Sequence, residues 1–243
     1  MRRVVATPLA FKPLAPAGDV RLQRERRRMK SHAQFPAEAS DDGSFVRQQD
    51  AFRDWVSADG HTGFPAVAGR CHLYVSLACP WAHRTIIVRS LLGLQHAIGM
   101  SVVDPIRDER GWAFRDGPGL GPDPVNGFRF LSEAYVATDP AYSARVTVPV
   151  LWDTKTNRIV SNSDDDIMRM FETEFIGLAQ HPQDLCPLLL RSQIDELNKD
   201  IFETVNDGVY RAGFATRQAA YERAARRLFE SLDVLDARLE DRR

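Results

Sequence analysis

The chain has 243 residues, 44% of them hydrophobic and 27% charged. That is ordinary for a globular protein of one large or two small domains and excludes a low-complexity chain. With 32 basic against 33 acidic residues, the net charge of −1 offers no overall field for nucleic acid or anionic lipid.

Three cysteines are too few for a disulfide scaffold and suit a reducing compartment. No apolar run approaches the ~20 residues of a membrane-spanning helix. The expectation is a cytoplasmic protein with no membrane and no nucleic-acid partner. Residues 1–30 carry nine basic side chains, among them Arg2, Arg3, Arg24 and Arg26–Arg28, against Asp19 and Glu25. Such an acid-poor start fits an organellar transit peptide, a basic tail, or an upstream extension of the reading frame with Met29 as the start. Residues 1–44 are read as a disordered basic and polar extension.

Around Phe45–Val56, the side chains of Phe52, Trp55 and Val56 share one face of a predicted helix. Residues 71–77, CHLYVSL, are a short apolar run that reads as a buried strand. Pro80 suits the first turn of the helix that follows, where Ile87, Leu91 and Leu94 recur at i, i+4 and i+7. A second strand at Met100–Val103 completes a β-α-β unit, and hence a parallel pair. Residues 105–144, rich in Gly and Pro, read as a long loop. Two strands follow, Val146–Trp152 and Arg158–Ser161, joined by hairpin-type residues. Ser163 with three aspartates behind it has the character of a helix N-cap, opening a helix that runs to about Phe175. Beyond Asp184 only helical periodicity is left, with helices predicted over about Leu188–Asn206 and Gln218–Leu239.

The chemistry concentrates at Cys79. A thiol placed just before a helix faces unpaired N–H donors and the positive end of the dipole, which lowers its pKa from ~8.5. Pro149 inside a strand makes sense as a cis residue whose strand end faces a ligand. The order of elements is that of a thioredoxin fold. Cys79-Pro-Trp-Ala82 lacks a second cysteine, which favours monothiol chemistry finished by an external thiol over a dithiol couple. Cys71 and Cys186 read as packed, non-catalytic residues.

Four strings carry a specific resemblance: YVSLACPWAHR (74–84), Gly111-Trp112, RVTVPVLWD (145–153) and VNDGVYRAGFA (205–215). From about Phe45 to Leu239 the chain resembles glutathionyl-hydroquinone reductases, the xi class of glutathione transferases. The resemblance implies an α/β thioredoxin-like domain (45–176) followed by an all-α domain (184–243). It also implies glutathione as co-substrate, a homodimer, and no metal. By the same resemblance, Cys79 attacks the glutathione sulfur of the conjugate and becomes a mixed disulfide that a second glutathione resolves. Trp112 would lie against glutathione, Val148 would bond its cysteinyl backbone and Arg145 would pair with a carboxylate. Tyr210 would donate a hydrogen bond near the hydroquinone or thiolate. Ser163 and Asp164 stand where these transferases place Glu-Ser or Gln-Ser to receive the γ-glutamyl carboxylate. An aspartate there puts like charge beside that carboxylate and should weaken binding. The family's helical domain also continues well past Leu239, so the 184–243 domain is read as partial and its end as a truncation that weakens the dimer. A general glutathione or thiol transferase with a Cys nucleophile, and an inactive glutathione-binding homologue, are the alternatives.

Overall fold

The computed structural model describes residues 36–108 and 110–240. The basic stretch at residues 1–35 lies outside the described residues. Four strands form one mixed sheet in the order β2-β1-β3-β4. Strand β1 (Cys71–Val75), buried at every position, pairs in parallel with β2 (Ile98–Val102), from Cys71 opposite Ile98 to Val75 opposite Val102. Strand β3 (Val150–Asp153) runs antiparallel to β1 and to β4 (Arg158–Ser161). Helix α1 (Pro80–Leu91) makes the crossover and packs against α3 (Asp164–Thr173). This is the thioredoxin-like arrangement expected from the order of elements. Strand β3 starts later than the sequence pattern suggests. Pro149 has no N–H to give to a ladder, so pairing begins only after it. The Val148–Pro149 bond is cis, as expected.

Asp153 pins the hairpin between β3 and β4. Its carboxylate accepts from the amides of Lys155 (2.7 Å) and Thr156 (3.3 Å) and from Arg70 Nη2 (2.7 Å), which satisfies a fully buried charge. The sheet core is aromatic: Tyr74, Trp152, Tyr135 and Phe171 are fully buried. Phe128 meets Trp152 edge-on at 5.7 Å, and Phe114 meets Tyr74 at 5.4 Å.

Those contacts correct the reading of residues 105–144 as loop throughout. The segment folds its aromatic side chains into the core and contains α2 (Ser132–Thr138), a helix of two turns that is too short to show a period. A second correction concerns Phe45–Val56, which is extended rather than helical. It lies beside the free edge of β4, where Asp54 N donates to Val160 O (2.9 Å) and Asn162 N to Phe52 O (3.0 Å). Unpaired strand groups outweigh a weak i, i+4 pattern there. Residues 36–44, expected within a disordered extension, are also ordered. They form a 3-10 turn at Pro36–Glu38, an Ala39–Phe45 bridge, and a turn in which Asp42 accepts from Ser40 and Ser44.

The C-terminal region is helical, as expected. Helix α4 (Arg191–Ile201) runs into a π turn (Phe202–Asn206), followed by α5 (Gly208–Gly213) and α6 (Gln218–Glu240). Helices α5 and α6 pack on each other. On α6, Phe229, Val234 and Leu239 are at least 60% exposed. No described helix is long and apolar enough to cross a membrane.

Candidate active site

Cys79 occupies the N-cap of α1 with extended backbone (φ −101°, ψ 114°), and Pro80 follows as the first helical residue. Its carbonyl accepts from His83 N at 3.0 Å, the first bond of the helix. Its sulfur sits 3.5 Å from the Val148 carbonyl and donates to it, which brings the β1–α1 turn against the cis-proline strand end. The amides of Trp81 and Ala82 point at the sulfur and favour its anion, as a helix start should. The expected lowering of the thiol pKa is nevertheless corrected. Burial is the largest influence and pushes the Cys79 thiol above its ordinary value; Asp164 adds to that, and Arg47 opposes it.

The cavity at Cys79 is small, about 110 Å³, and draws on five stretches of the chain, around residues 38–50, 79–81, 107–112, 145–162 and Tyr210. Trp112, Arg145, Val148 and Tyr210, all singled out from the sequence, line it with Cys79. Trp112 is 9% exposed, and its Nε1–H has no acceptor among the described residues. An indole N–H of that kind keeps its capacity to donate. The guanidinium of Arg107 lies 5.0 Å from its ring centroid. Tyr210, on α5, accepts a hydrogen bond from Trp81 Nε1 at 3.0 Å. An indole N–H can only donate, so the Tyr210 hydroxyl hydrogen is left for another acceptor.

Arg145 reaches the cavity, but not as a free carboxylate receptor. Its Nε donates to Glu38 Oε1 at 2.6 Å and its Nη2 to Glu38 Oε2, on a carboxylate that is 3% exposed. Glu38 was invisible to the sequence reading because it lay in the stretch assigned to the extension. The Ser163–Asp164 pair is not part of this cavity. The Ser163 hydroxyl caps α3 by accepting from Asp166 N at 3.4 Å. Ser163 borders a separate, larger cleft of about 940 Å³ between α3 and α4. Asp164 is paired with Arg84 at 2.9 Å, and Arg84 also reaches Asp165 at 2.8 Å. The repulsion expected from Asp164 is therefore answered by a cation from α1. Even so, burial raises the Asp164 carboxyl to about 7, with Asp165 and Asp50 adding to the effect.

Beyond Glu38, sequence reasoning missed Phe45, Arg47, Gln48, Asp50 and Arg107, all of which line the cavity. No local motif marks them; the path of residues 45–50 brings the first four there, and the segment after β2 brings Arg107. Cys71 is 2% exposed, and burial pushes its thiol up to about 12, so it is inert. Cys186 is buried, with Arg169 Nη1 on its sulfur.

Residues 78–174 match the glutathione S-transferase N-terminal domain family. The chain is 51% identical over 201 residues to the glutathionyl-hydroquinone reductase YqjG of Escherichia coli, covering 80% of this chain and 61% of that protein. Two solved structures superpose well. The glutathione transferase Xi of Phanerochaete chrysosporium is 46% identical with a TM-score of 0.77, covering 81% of this chain and 67% of that one. The Xi glutathione transferase ECM4 of Saccharomyces cerevisiae, solved in complex with glutathione, is 37% identical with a TM-score of 0.79, covering 82% and 67%. The chain thus spans about three-fifths of the length of the E. coli reductase.

Proposed function

This chain belongs to the xi class of glutathione transferases, and we propose from that membership that it reduces glutathionyl-hydroquinones through Cys79. The observation that carries the reading is the placement of the Cys79 sulfur. It lies at a helix start, against the Val148 carbonyl, in a cavity shared with the Trp112 indole and the Tyr210 hydroxyl. A transferase that activates glutathione itself needs a hydroxyl donor to the glutathione thiol. A cysteine at that place instead attacks sulfur.

In the first step the Cys79 thiolate attacks the glutathione sulfur of the conjugate. An S–S bond forms, the S–C bond to the ring breaks, and its electron pair goes to the ring carbon, which takes up a proton. The hydroquinone leaves, and Cys79 is held as a mixed disulfide. The thiolate of a second glutathione then attacks the glutathione sulfur of that disulfide, releasing oxidised glutathione and the Cys79 thiolate. Overall, one conjugate and one glutathione give one hydroquinone and one glutathione disulfide, and the proton on the ring carbon balances the one lost by glutathione.

In this reading Trp112 Nε1–H donates to glutathione and Val148 bonds its cysteinyl backbone. Tyr210 gives its remaining hydrogen to the substrate, and Arg145, already paired with Glu38, adds positive charge at the cavity wall. Ser163 and Asp164 lie outside the cavity lining and would meet the γ-glutamyl end only where glutathione extends past it. Raised towards 7, Asp164 is partly protonated near neutrality, which softens its repulsion of a carboxylate. The proposed partners are small molecules, the conjugate and glutathione, and the three free cysteines fit a reducing, cytoplasmic setting. A glutathione-binding protein without turnover is the second reading, favoured by Asp164 where a serine hydroxyl is expected.

The test is turnover of glutathionyl-menadiol by this chain and by Cys79→Ser, with the intact mass recorded after mixing. Reductase turnover and a glutathione adduct on Cys79, both lost in Cys79→Ser, are expected. Undiminished turnover in the serine variant would sink the mechanism. Glutathione binding with neither an adduct nor turnover would select the second reading.

A further inference from the structure

Residues 36–50 form a strap that ties the sheet to the C-terminal helices across the mouth of the Cys79 cavity. On the sheet side, Gln48 Oε1 accepts from Arg145 N at 2.9 Å. On the helical side, Phe45 packs against Phe214 at 5.3 Å, Thr216 N donates to Gly43 O at 2.9 Å, and Arg223 pairs with Asp42 at 2.5 Å. Arg47 hangs between these two anchorages. Its guanidinium lies 4.1 Å from the Trp81 ring centroid and 5.9 Å from that of Tyr210, and it lines the same cavity as Cys79. The other contacts of Trp81 are just as specific. Its Nε1 donates to Tyr210, and Phe202 of the π turn meets its ring edge-on at 5.4 Å.

We propose that Arg47 is a positioning residue for the Cys79 chemistry. Laid on the Trp81 indole, its guanidinium holds the Trp81–Tyr210 pair in register and sets a fixed positive charge beside the cavity in which the sulfur anion forms. The proposal rests on the reading of Cys79 as the nucleophile. A planar cation stacked on an aromatic face does two things at once. It restrains the ring through the attraction of charge to the ring face. It also delivers its charge at a place the stacking defines. The charge has work to do, because burial opposes the Cys79 anion and Asp164 adds to that opposition. Among the side chains that act on the sulfur, Arg47 favours its anion. The other groups facing the sulfur are the Trp81 and Ala82 amides of α1, Asp164 of α3, and Asp50 of the strap. Tyr210 of α5, the Arg145–Glu38 pair and Arg107, whose guanidinium lies over the Trp112 ring, also line the cavity. Arg145 shares its charge with Glu38, whereas Arg47 is spread over two aromatic rings.

The readout is the pH dependence of Cys79 alkylation by iodoacetamide, followed on the Cys79 peptide by mass spectrometry. It needs no turnover, so it stays separate from the test of function. Arg47→Met should raise the alkylation midpoint by ~0.5 pH unit and slow alkylation at pH 7 about 3-fold. Arg47→Gln, equally neutral but polar, should do the same, and it decides the matter if the Met variant does not fold. Arg47→Lys should keep the midpoint, because it keeps the charge. It should nonetheless lower kcat for glutathionyl-menadiol ~3-fold or more with KM little changed, because an ammonium does not lie flat on the indole. Unchanged midpoints in both neutral variants would overturn the electrostatic half of the proposal. A wild-type kcat in Arg47→Lys would overturn the positioning half. Loss of the Cys79→Ser effect on turnover would instead overturn the function reading and leave the midpoint result standing.

Discussion

Replacing Asp164 by Asn removes a carboxyl that burial at the start of α3 has raised from 3.8 to about 7. The side chain is 8% exposed, so solvent screens little of the effect. Arg84 at 2.9 Å pulls the other way and Arg47 helps it, but Asp165 and Asp50 push with the burial. A folded-state value above the unfolded one means that the folded protein holds the proton more tightly. The carboxyl's contribution to stability is then full below pH ~4 and is lost as pH rises through ~7. At about 1.4 kcal/mol per unit, that contribution is roughly 2.7 kcal/mol at pH 5 and close to zero at pH 8. Asparagine does not titrate. The stability of wild type relative to Asp164→Asn should therefore fall by roughly 2–3 kcal/mol between pH 5 and pH 8. Taking the difference between the two proteins cancels every titrating group that is not coupled to Asp164, and leaves Asp165, Asp50 and Cys79 as the neighbours that can add to it. Urea unfolding at four pH values across this window, followed by far-ultraviolet circular dichroism, measures it directly. Two parallel stability curves would refute the reasoning. They would mean that the carboxyl ionises near its ordinary value in the folded protein and that the Arg84 pair outweighs burial.

Three further outcomes follow from the same contacts. Tyr210→Phe leaves Trp81 Nε1 without its acceptor and should cost about 1 kcal/mol in urea unfolding; if Tyr210 also serves the substrate, kcat should fall more than KM changes. Gly43→Ala should lower stability by ~1–3 kcal/mol. Gly43 has φ +82°, and a Cβ there would stand 2.6 Å from Arg217 Cγ; an unchanged thermal midpoint would show that the strap yields easily. With the Cys71 thiol pushed up to about 12, iodoacetamide at pH 8 should label Cys79 well before Cys71, and peptide mapping that finds Cys71 labelled first would contradict its burial.

Much of the thioredoxin-like half was legible because its signals are local. An apolar run, a proline one residue past a cysteine, and a serine ahead of three aspartates each act within one turn or strand. The β-α-β order then leaves few topologies open. Cys79 at a helix start and the cis bond before Pro149 were read this way, and both stand where expected. Helix α2 was missed because two turns carry too little periodicity, and residues 45–56 were misread because their partner, the edge of β4, lies more than 100 residues away.

The site divides along the same line. The sequence by itself determined which residues carry reactive or hydrogen-bonding groups, because that is a property of side-chain type and of neighbours within a few positions. Only the tertiary structure decided how those groups behave. Burial turned the helix-start cysteine into a thiol held above its ordinary value. Glu38 engaged the arginine expected to meet a ligand, and Arg84 met the aspartate expected to repel one. Desolvation and ion pairing depend on what lies within a few ångströms. For Cys79, Arg145 and Asp164, those neighbours include residues 69, 107 and 80 positions away.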